Sequence, residues 1–293
     1  MPYNSAKYEF LFDLSGENTE RAFDRFRHRN VFRYRTRTIK AGNVLEVEIF
    51  PIWNTQNEVR EAKKHTTREA QKNLNDKNAK KKFIRKINAN FTEEDLCVTL
   101  TYSNGFVPDE EQARRDIRNY LRRVREYRRK NGLPELKYAY VIEFGGKDGR
   151  RKRVHHHVIM SGMDRDKAEV LWNGRGYANA RRLQPDDYGL EALARYMTKE
   201  PNGGKRWAAS KNLVDPKITE ADTKISKRKV EQMAADFEAA PAAIFGKLFP
   251  DYAFNDCEVK YSAYVAGAYI YARMCRRPEP TKKDKKQKKK RRN

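Results

Sequence analysis

Arg153-Val154-His155-His156-His157-Val158-Ile159-Met160 is the stretch on which the fold turns. It is short, β-prone and preceded by the turn-forming run Gly145-Gly146-Lys147-Asp148-Gly149, so it reads as a strand. Side chains alternate faces along a strand, which points His155 and His157 one way and His156 the other. Working upstream, Lys137 to Phe144 reads as a second strand and Cys97 to Tyr102 as a buried-type strand. Between them, Asp109 to Lys130 reads as a helix. Ala113, Ile117, Tyr120, Leu121, Val124 and Tyr127 repeat at helical spacing, while Arg114, Arg118, Arg122, Arg125 and Arg129 fall largely outside that face. Asn131-Gly132 stops it. Downstream, Asp164 to Trp172 predicts a short helix, Gly176 to Leu183 a fourth strand, and Leu190 to Lys199 a helix halted by Pro201. The order β-α-β-β-α-β predicts an α+β, ferredoxin-like split β-α-β core, with one antiparallel sheet and helices on one face.

The flanks are less regular. Arg33, Arg35 and Arg37 alternate with Phe32, Tyr34 and Thr36, and Leu45, Val47 and Ile49 alternate with Glu46 and Glu48 beyond an Ala41-Gly42-Asn43 turn. This predicts a hairpin, with arginines facing glutamates, that extends the main sheet or covers its edge. Residues 54–88 are helix-prone, with a narrow stripe of Phe83, Ile84 and Ile87 opposite lysines. That helix suits either plain solvation or a phosphate backbone. Lys211 to Lys229 reads as a loop, Val230 to Ala239 as a helix, Pro241 to Pro250 as a compact turn, and Cys257–Tyr261 and Tyr264–Met274 as strands. The organisation expected is a basic extension over 1–94, a core over 95–200, a helix and strands packing on it over 201–275, and a disordered basic tail over 276–293.

Lys plus Arg number 64 against 40 acids, a formal charge of +24, which favours a polyanionic partner. The tail carries eleven Lys or Arg against Glu279 and Asp284, so the rest of the chain still holds +15 of the +24. Three cysteines, Cys97, Cys257 and Cys275, lack metal-type spacing and fit a reducing compartment. No apolar run approaches membrane-spanning length, so no membrane partner is expected.

Two imidazoles on one strand face make half of a metal site, and Glu143 on the neighbouring strand supplies a hard oxygen, with Glu191 and Asp148 as alternatives. Tyr196 and Lys199 lie about one helical turn apart. A phenol is a weak nucleophile until its proton is drawn off, and a nearby ammonium favours the phenolate. Arg150, Arg151, Lys152 and Arg153 adjoin the histidines, and Lys205, Arg206 and Trp207 follow the tyrosine, suiting phosphate and base contacts. Each piece alone has a plainer reading: an incidental His-x-His, a tyrosine packed beside Leu193, a loop pinned by an indole. Their order along the chain gives them weight. No G-x-x-x-x-G-K-[ST] run is present, so the sequence shows no P-loop for nucleotide hydrolysis.

These motifs resemble the replication-initiator branch of the HUH endonucleases, the rolling-circle Rep proteins of small single-stranded DNA phages, viruses and plasmids. Val98-Thr99-Leu100-Thr101-Tyr102, His155-His156-His157 and Tyr196-Met197-Thr198-Lys199 match the family's three motifs, over roughly residues 95–200. The middle position of the second motif is usually bulky and apolar; here His156 stands there, expected to face the helical layer as a neutral, hydrogen-bonded group. The resemblance implies that His155, His157 and Glu143 hold a divalent metal, Mg²⁺ or Mn²⁺, against the scissile phosphate. It implies that Tyr196, assisted by Lys199, attacks phosphorus to leave a 5′-phosphotyrosyl enzyme and a free 3′-OH, and that the strand is later rejoined. The partners implied are single-stranded origin DNA, with an origin hairpin left open, and a host helicase and polymerase in the cytoplasm of a bacterial cell. The competing readings are a relaxase, which would use Tyr3 or Tyr8, a single-strand transposase, and a non-catalytic basic nucleic-acid-binding protein.

Overall fold

The computed structural model describes residues 31–53, 68–144, 153–199, 207–236, 238–261 and 266–278. In chain order, β1 (Val31–Ala41) and β2 (Val44–Trp53) form a hairpin and α1 (Arg68–Asn88) follows. Then come β3 (Leu96–Tyr102), α2 (Glu110–Lys130), β4 (Tyr138–Glu143), β5 (His155–Met160), α3 (Arg165–Val170), β6 (Gly176–Arg182) and α4 (Glu191–Met197). The remaining elements are β7 (Ala208–Ala209), β8 (Lys217–Ala221), α5 (Lys227–Ala235), α6 (Ala239–Leu248), β9 (Tyr252–Tyr261) and β10 (Ala268–Arg276). Among the described residues the strands make two five-stranded sheets, so the α+β class is as expected.

The first sheet runs β6-β3-β5-β4-β7 with every neighbouring pair antiparallel. Leaving out the two-residue β7, this is the split β-α-β order. Period-two alternation decides its faces. Leu96, Val98, Leu100, Val158 and Met160 bury against Ala113, Ile117, Tyr120, Leu121 and Val124 of α2. Asp109 caps α2, its carboxylate accepting from the Gln112 amide at 2.7 Å. The other face is not bare, which corrects the expectation of helices on one side. Ala139, Val141 and Ile159 pack beneath Phe83, Ile84 and Ile87 of α1 and Ala194 and Met197 of α4. The narrow stripe on α1 needed a second apolar surface, and α1 lies outside the repeating unit that suggested the topology.

The hairpin neither extends nor caps that sheet. It joins the C-terminal strands in a second sheet, β8-β1-β2-β10-β9. Leu45, Val47 and Ile49 face its own core with Val230, Met233, Ile244 and Phe245 of α5 and α6. The arginines divide: Arg37 is in register with Glu48, but Arg35 pairs with Asp222 at 2.6 Å. On the opposite face, Glu46 and Glu48 take the Arg85 guanidinium of α1 at 2.6 and 2.8 Å, and the Tyr271 hydroxyl donates to Glu46 at 2.7 Å. Burial alone would raise the Glu46 carboxyl, but the charge and hydrogen bonds of Arg85, then Tyr271, hold it below the ordinary value. Helix α1 is thus gripped by apolar contact on one sheet and by charge on the other.

Candidate active site

The apolar packing of α1 and α4 covers one end of the first sheet; at the other end His155 and Glu143 stay partly exposed while His157 is buried. Thr101 is in register with His155 and Thr99 with His157 on one side of β5, while Glu143 is in register with His155 on the other. Directly paired residues share a face, so the threonines, both outer histidines and Glu143 line one surface. Thr101 Oγ1 lies 3.0 Å from His155 Nδ1, and Thr99 Oγ1 lies 3.5 Å from His157 Nδ1. His157 Nε2 meets a Glu143 carboxylate oxygen at 3.1 Å. The two imidazoles stack with centroids 6.3 Å apart and planes 24° apart. Burial lowers the pKa of His155, with His157 and Arg153 adding to the effect against Glu143, which favours the neutral, ligand-competent ring.

Tyr196 lies on the same surface. Its ring meets that of His157 edge-on with centroids 5.4 Å apart, yet the residue is 61 % exposed. Helix α4 ends at Met197, short of the expected boundary, with Thr198 as its C-cap: the Thr198 amide and hydroxyl both donate to the Ala194 carbonyl, at 3.1 and 2.8 Å. Lys199 therefore stands exposed in the turn beyond, its amide donating to the Tyr196 carbonyl at 3.3 Å. The structure gathers Glu143, His155, His157 and Tyr196, and sets Lys199 off the helix.

The donor set, two imidazole nitrogens and a carboxylate oxygen, has the chemistry of a divalent-cation site. A hydroxyl fixing each Nδ1 leaves Nε2 as the coordinating atom, the usual support for a metal-binding histidine. Among the described residues, however, no three His, Cys, Asp or Glu side chains are already drawn into a cage. Glu143 is turned onto His157, and its side chain is 45 % exposed, so it is free to re-aim. The residues fit a cation without being closed around one. Glu191 is committed elsewhere, to Arg195 at 2.6 Å and Arg273 at 2.9 Å, and Asp148 lies outside the described residues.

His156 points into the opposite layer and is fully buried. The Tyr102 hydroxyl lies 3.1 Å from its Nε2 and donates to Asp116 at 3.1 Å, so His156 supplies the proton on Nε2. Burial pushes its pKa down to about 3, keeping it neutral. A hydrogen-bonded neutral imidazole among Tyr102 and Trp172 explains how a polar ring fills an apolar position.

Of the DNA-contact candidates, Arg150, Arg151, Lys152, Lys205 and Arg206 lie outside the described residues, as do Tyr3, Tyr8 and the tail from 279 onward. Arg153 is exposed and hydrogen-bonds Asn104. Trp207 packs on Phe83 with ring centroids 5.2 Å apart and shares a groove with Lys82, Lys86 and Lys211. Tyr188 is occupied by Asp256 at 3.3 Å and by the Arg273 guanidinium 4.4 Å from its ring, whereas Tyr196 lies against His157. Sequence reading missed Thr99 and Thr101 as supports for the imidazoles. Their period-two spacing, equal to that of His155 and His157, was the available signal.

Residues 95–201 match the family of replication-associated proteins ORF2/G2P. The matched segment begins just before β3 and ends just after Lys199, so it contains every element of the site. The match is consistent with a Rep initiator protein of small single-stranded DNA elements, and it supports a role in DNA replication and contact with DNA. No curated protein and no solved structure matches the chain. No helix among the described residues is long and apolar enough to cross a membrane.

Proposed function

We propose that the protein is a rolling-circle replication initiator that nicks single-stranded origin DNA through Tyr196. The observation that carries this reading is the 5.4 Å approach of the Tyr196 ring to His157, on the sheet face that also carries His155 and Glu143. In the proposed step the phenolic oxygen bonds phosphorus as the bond to the 3′ oxygen breaks. The phenolic proton leaves to water, and the departing oxygen takes up a proton to become a free 3′-OH. The phosphate remains on Tyr196 as a 5′-phosphotyrosyl ester, and attack on that ester by a 3′-OH rejoins the strand without ATP.

His155, His157 and Glu143 would hold Mg²⁺ or Mn²⁺, which when bound supplies charge neutralisation at the non-bridging oxygens. Thr101 and Thr99 orient the imidazoles for that task. The exposed Lys199 and Arg153, with the basic segments around 150–153 and 205–207, meet neighbouring phosphates. Unwinding and synthesis would be the work of a host helicase and polymerase. A labelled single-stranded origin oligonucleotide incubated with Mn²⁺ and run on a denaturing gel tests the reading. A retarded protein–DNA band is expected, absent from Tyr196→Phe and with chelator. A band that survives Tyr196→Phe would place the nucleophile elsewhere, and binding without any adduct would favour a non-catalytic protein.

A further inference from the structure

At the histidine end of the first sheet, strand register arranges side chains in rows. Thr101 is paired with His155 on one side and Tyr177 on the other, and His155 with Glu143. Tyr177, Thr101, His155 and Glu143 therefore form one row on one face. Behind it runs a second row: Asn179, Thr99, His157 and Val141. The site accounts for the other three members of the front row but leaves Tyr177 without a task.

Tyr177 is 65 % exposed on β6, the edge strand. It is not a loop residue free to swing. β6 pairs with β3 without a break from Leu96↔Arg182 to Tyr102↔Gly176. Gly176, with φ +149°, lets the chain enter that pairing where any Cβ would sit 2.3 Å from the Thr101 carbonyl oxygen. The ring is thus displayed on a rigid element. Two strand spacings of about 4.8 Å put its backbone roughly 10 Å from that of His155. Arg181 lies on the same face of β6, its guanidinium held by Asn179 at 2.8 Å in the second row, whereas Arg175 is tied to Asp116 of α2. An exposed aromatic on a preorganised strand, with Arg181 on the same face and in line with the proposed phosphate site, has the make-up of a base-stacking platform.

We propose that Tyr177 stacks on a nucleobase of single-stranded DNA next to the phosphate addressed by His155 and His157. This subsite rests on the proposed nicking reading for its neighbour, but stacking needs neither metal nor cleavage. The ring does the binding and the hydroxyl is dispensable.

The test is binding of a fluorescent mixed-sequence single-stranded oligonucleotide in EDTA. Tyr177→Ala is expected to weaken it about 5- to 100-fold, and Tyr177→Phe and Tyr177→Trp to retain it. In a companion series a single 2-aminopurine is walked along the strand. One position should be quenched by the wild type and by Tyr177→Phe but not by Tyr177→Ala. Because the side chain is solvent-facing, the alanine variant should melt at the wild-type temperature. Equal binding by wild type and Tyr177→Ala, or a phenylalanine variant as weak as the alanine one, overturns the proposal. If the wild type forms no covalent adduct with Mn²⁺, the nicking reading fails, while the ring-dependent quenching in EDTA still decides the stacking subsite.

Discussion

Replacing Arg85 by Met should be among the most damaging single substitutions in the described structure. Arg85 reaches Glu46 through both Nε and Nη2 and Glu48 through Nη2, all within 3.1 Å, and both carboxylates are almost fully buried. Methionine keeps much of the aliphatic stem but removes the charge, leaving two carboxylates desolvated together. Breaking a buried ion pair from one side costs about 3–5 kcal/mol, and a domain of this size loses about 2–4 °C of melting temperature per kcal/mol, so a fall of roughly 6–20 °C is expected.

The cause can be separated from lost packing. Adding Glu46→Gln and Glu48→Gln to Arg85→Met removes the stranded charge while keeping an acceptor for Tyr271. Most of the loss should return. The pH dependence carries a further sign. In the wild type the folded Glu46 pKa is depressed, so its contribution is present above the unfolded carboxylate value and is lost as pH falls through the folded one. In Arg85→Met burial, the largest effect, is opposed only by the Tyr271 hydrogen bond and the Lys81 charge and raises that pKa, so the deficit should grow as pH rises above the unfolded value and shrink in acid. Thermal melts of the single and triple variants at pH 5 and pH 8 decide the matter. A triple variant as unstable as the single one would show that α1 packing, and not buried charge, was lost.

Thr101→Val removes the hydroxyl at His155 Nδ1 without changing side-chain shape. It should raise the Mn²⁺ concentration needed for adduct formation about 10- to 100-fold, and an unchanged Mn²⁺ titration would count against Thr101 as a ligand support. Burial pushes the Cys97 thiol up to about 11 and Cys257 up to about 12. Iodoacetamide at pH 8 should therefore label both far more slowly in the folded protein than in denaturant, and equal rates by mass spectrometry would contradict that burial. Asn88→Ala removes the side chain that accepts from the Leu190 amide at 2.7 Å and should cost about 1–3 kcal/mol of stability. It should also slow adduct formation while leaving single-strand binding intact, and an unaltered adduct rate would show that α4 needs no such support.

The first sheet was legible because its signals are local. Cys97–Tyr102, the Asp109–Lys130 face and the histidine strand each declare their period within a few residues, and the family-matched segment coincides with them. The second sheet was hidden because its pairings are remote: β10 pairs with β2 across most of the chain, Ile270 opposite Ile49. β8 gives little pattern, since Lys217-Ile218-Thr219-Glu220-Ala221 has an exposed edge and a single large apolar side chain. α6 was mistaken for a turn because of Pro241, which sits in the helix's first turn, where a missing N–H breaks no helical bond. The histidines and Glu143 could be placed on faces from alternation alone. That Thr101 and Tyr177 flank them required register, which alternation cannot supply.

The position of Tyr196 is set largely from outside the matched segment. α4 has seven residues and no side-chain N-cap, too short to persist on its own. Asn88, at the end of α1, accepts from the Leu190 amide and donates to the Tyr188 carbonyl at 3.3 Å, substituting for the missing cap. Gly189 permits that approach, because a Cβ there would stand 2.6 Å from the Asn88 oxygen. Arg273 on β10 grips Glu191, the first residue of the helix, and is itself fixed by Asp256. One contact comes from the helix between the sheets and the other from the second sheet. The catalytic proposal therefore concerns the whole architecture: the first sheet carries the histidines, while the additions around it hold the tyrosine's helix above them.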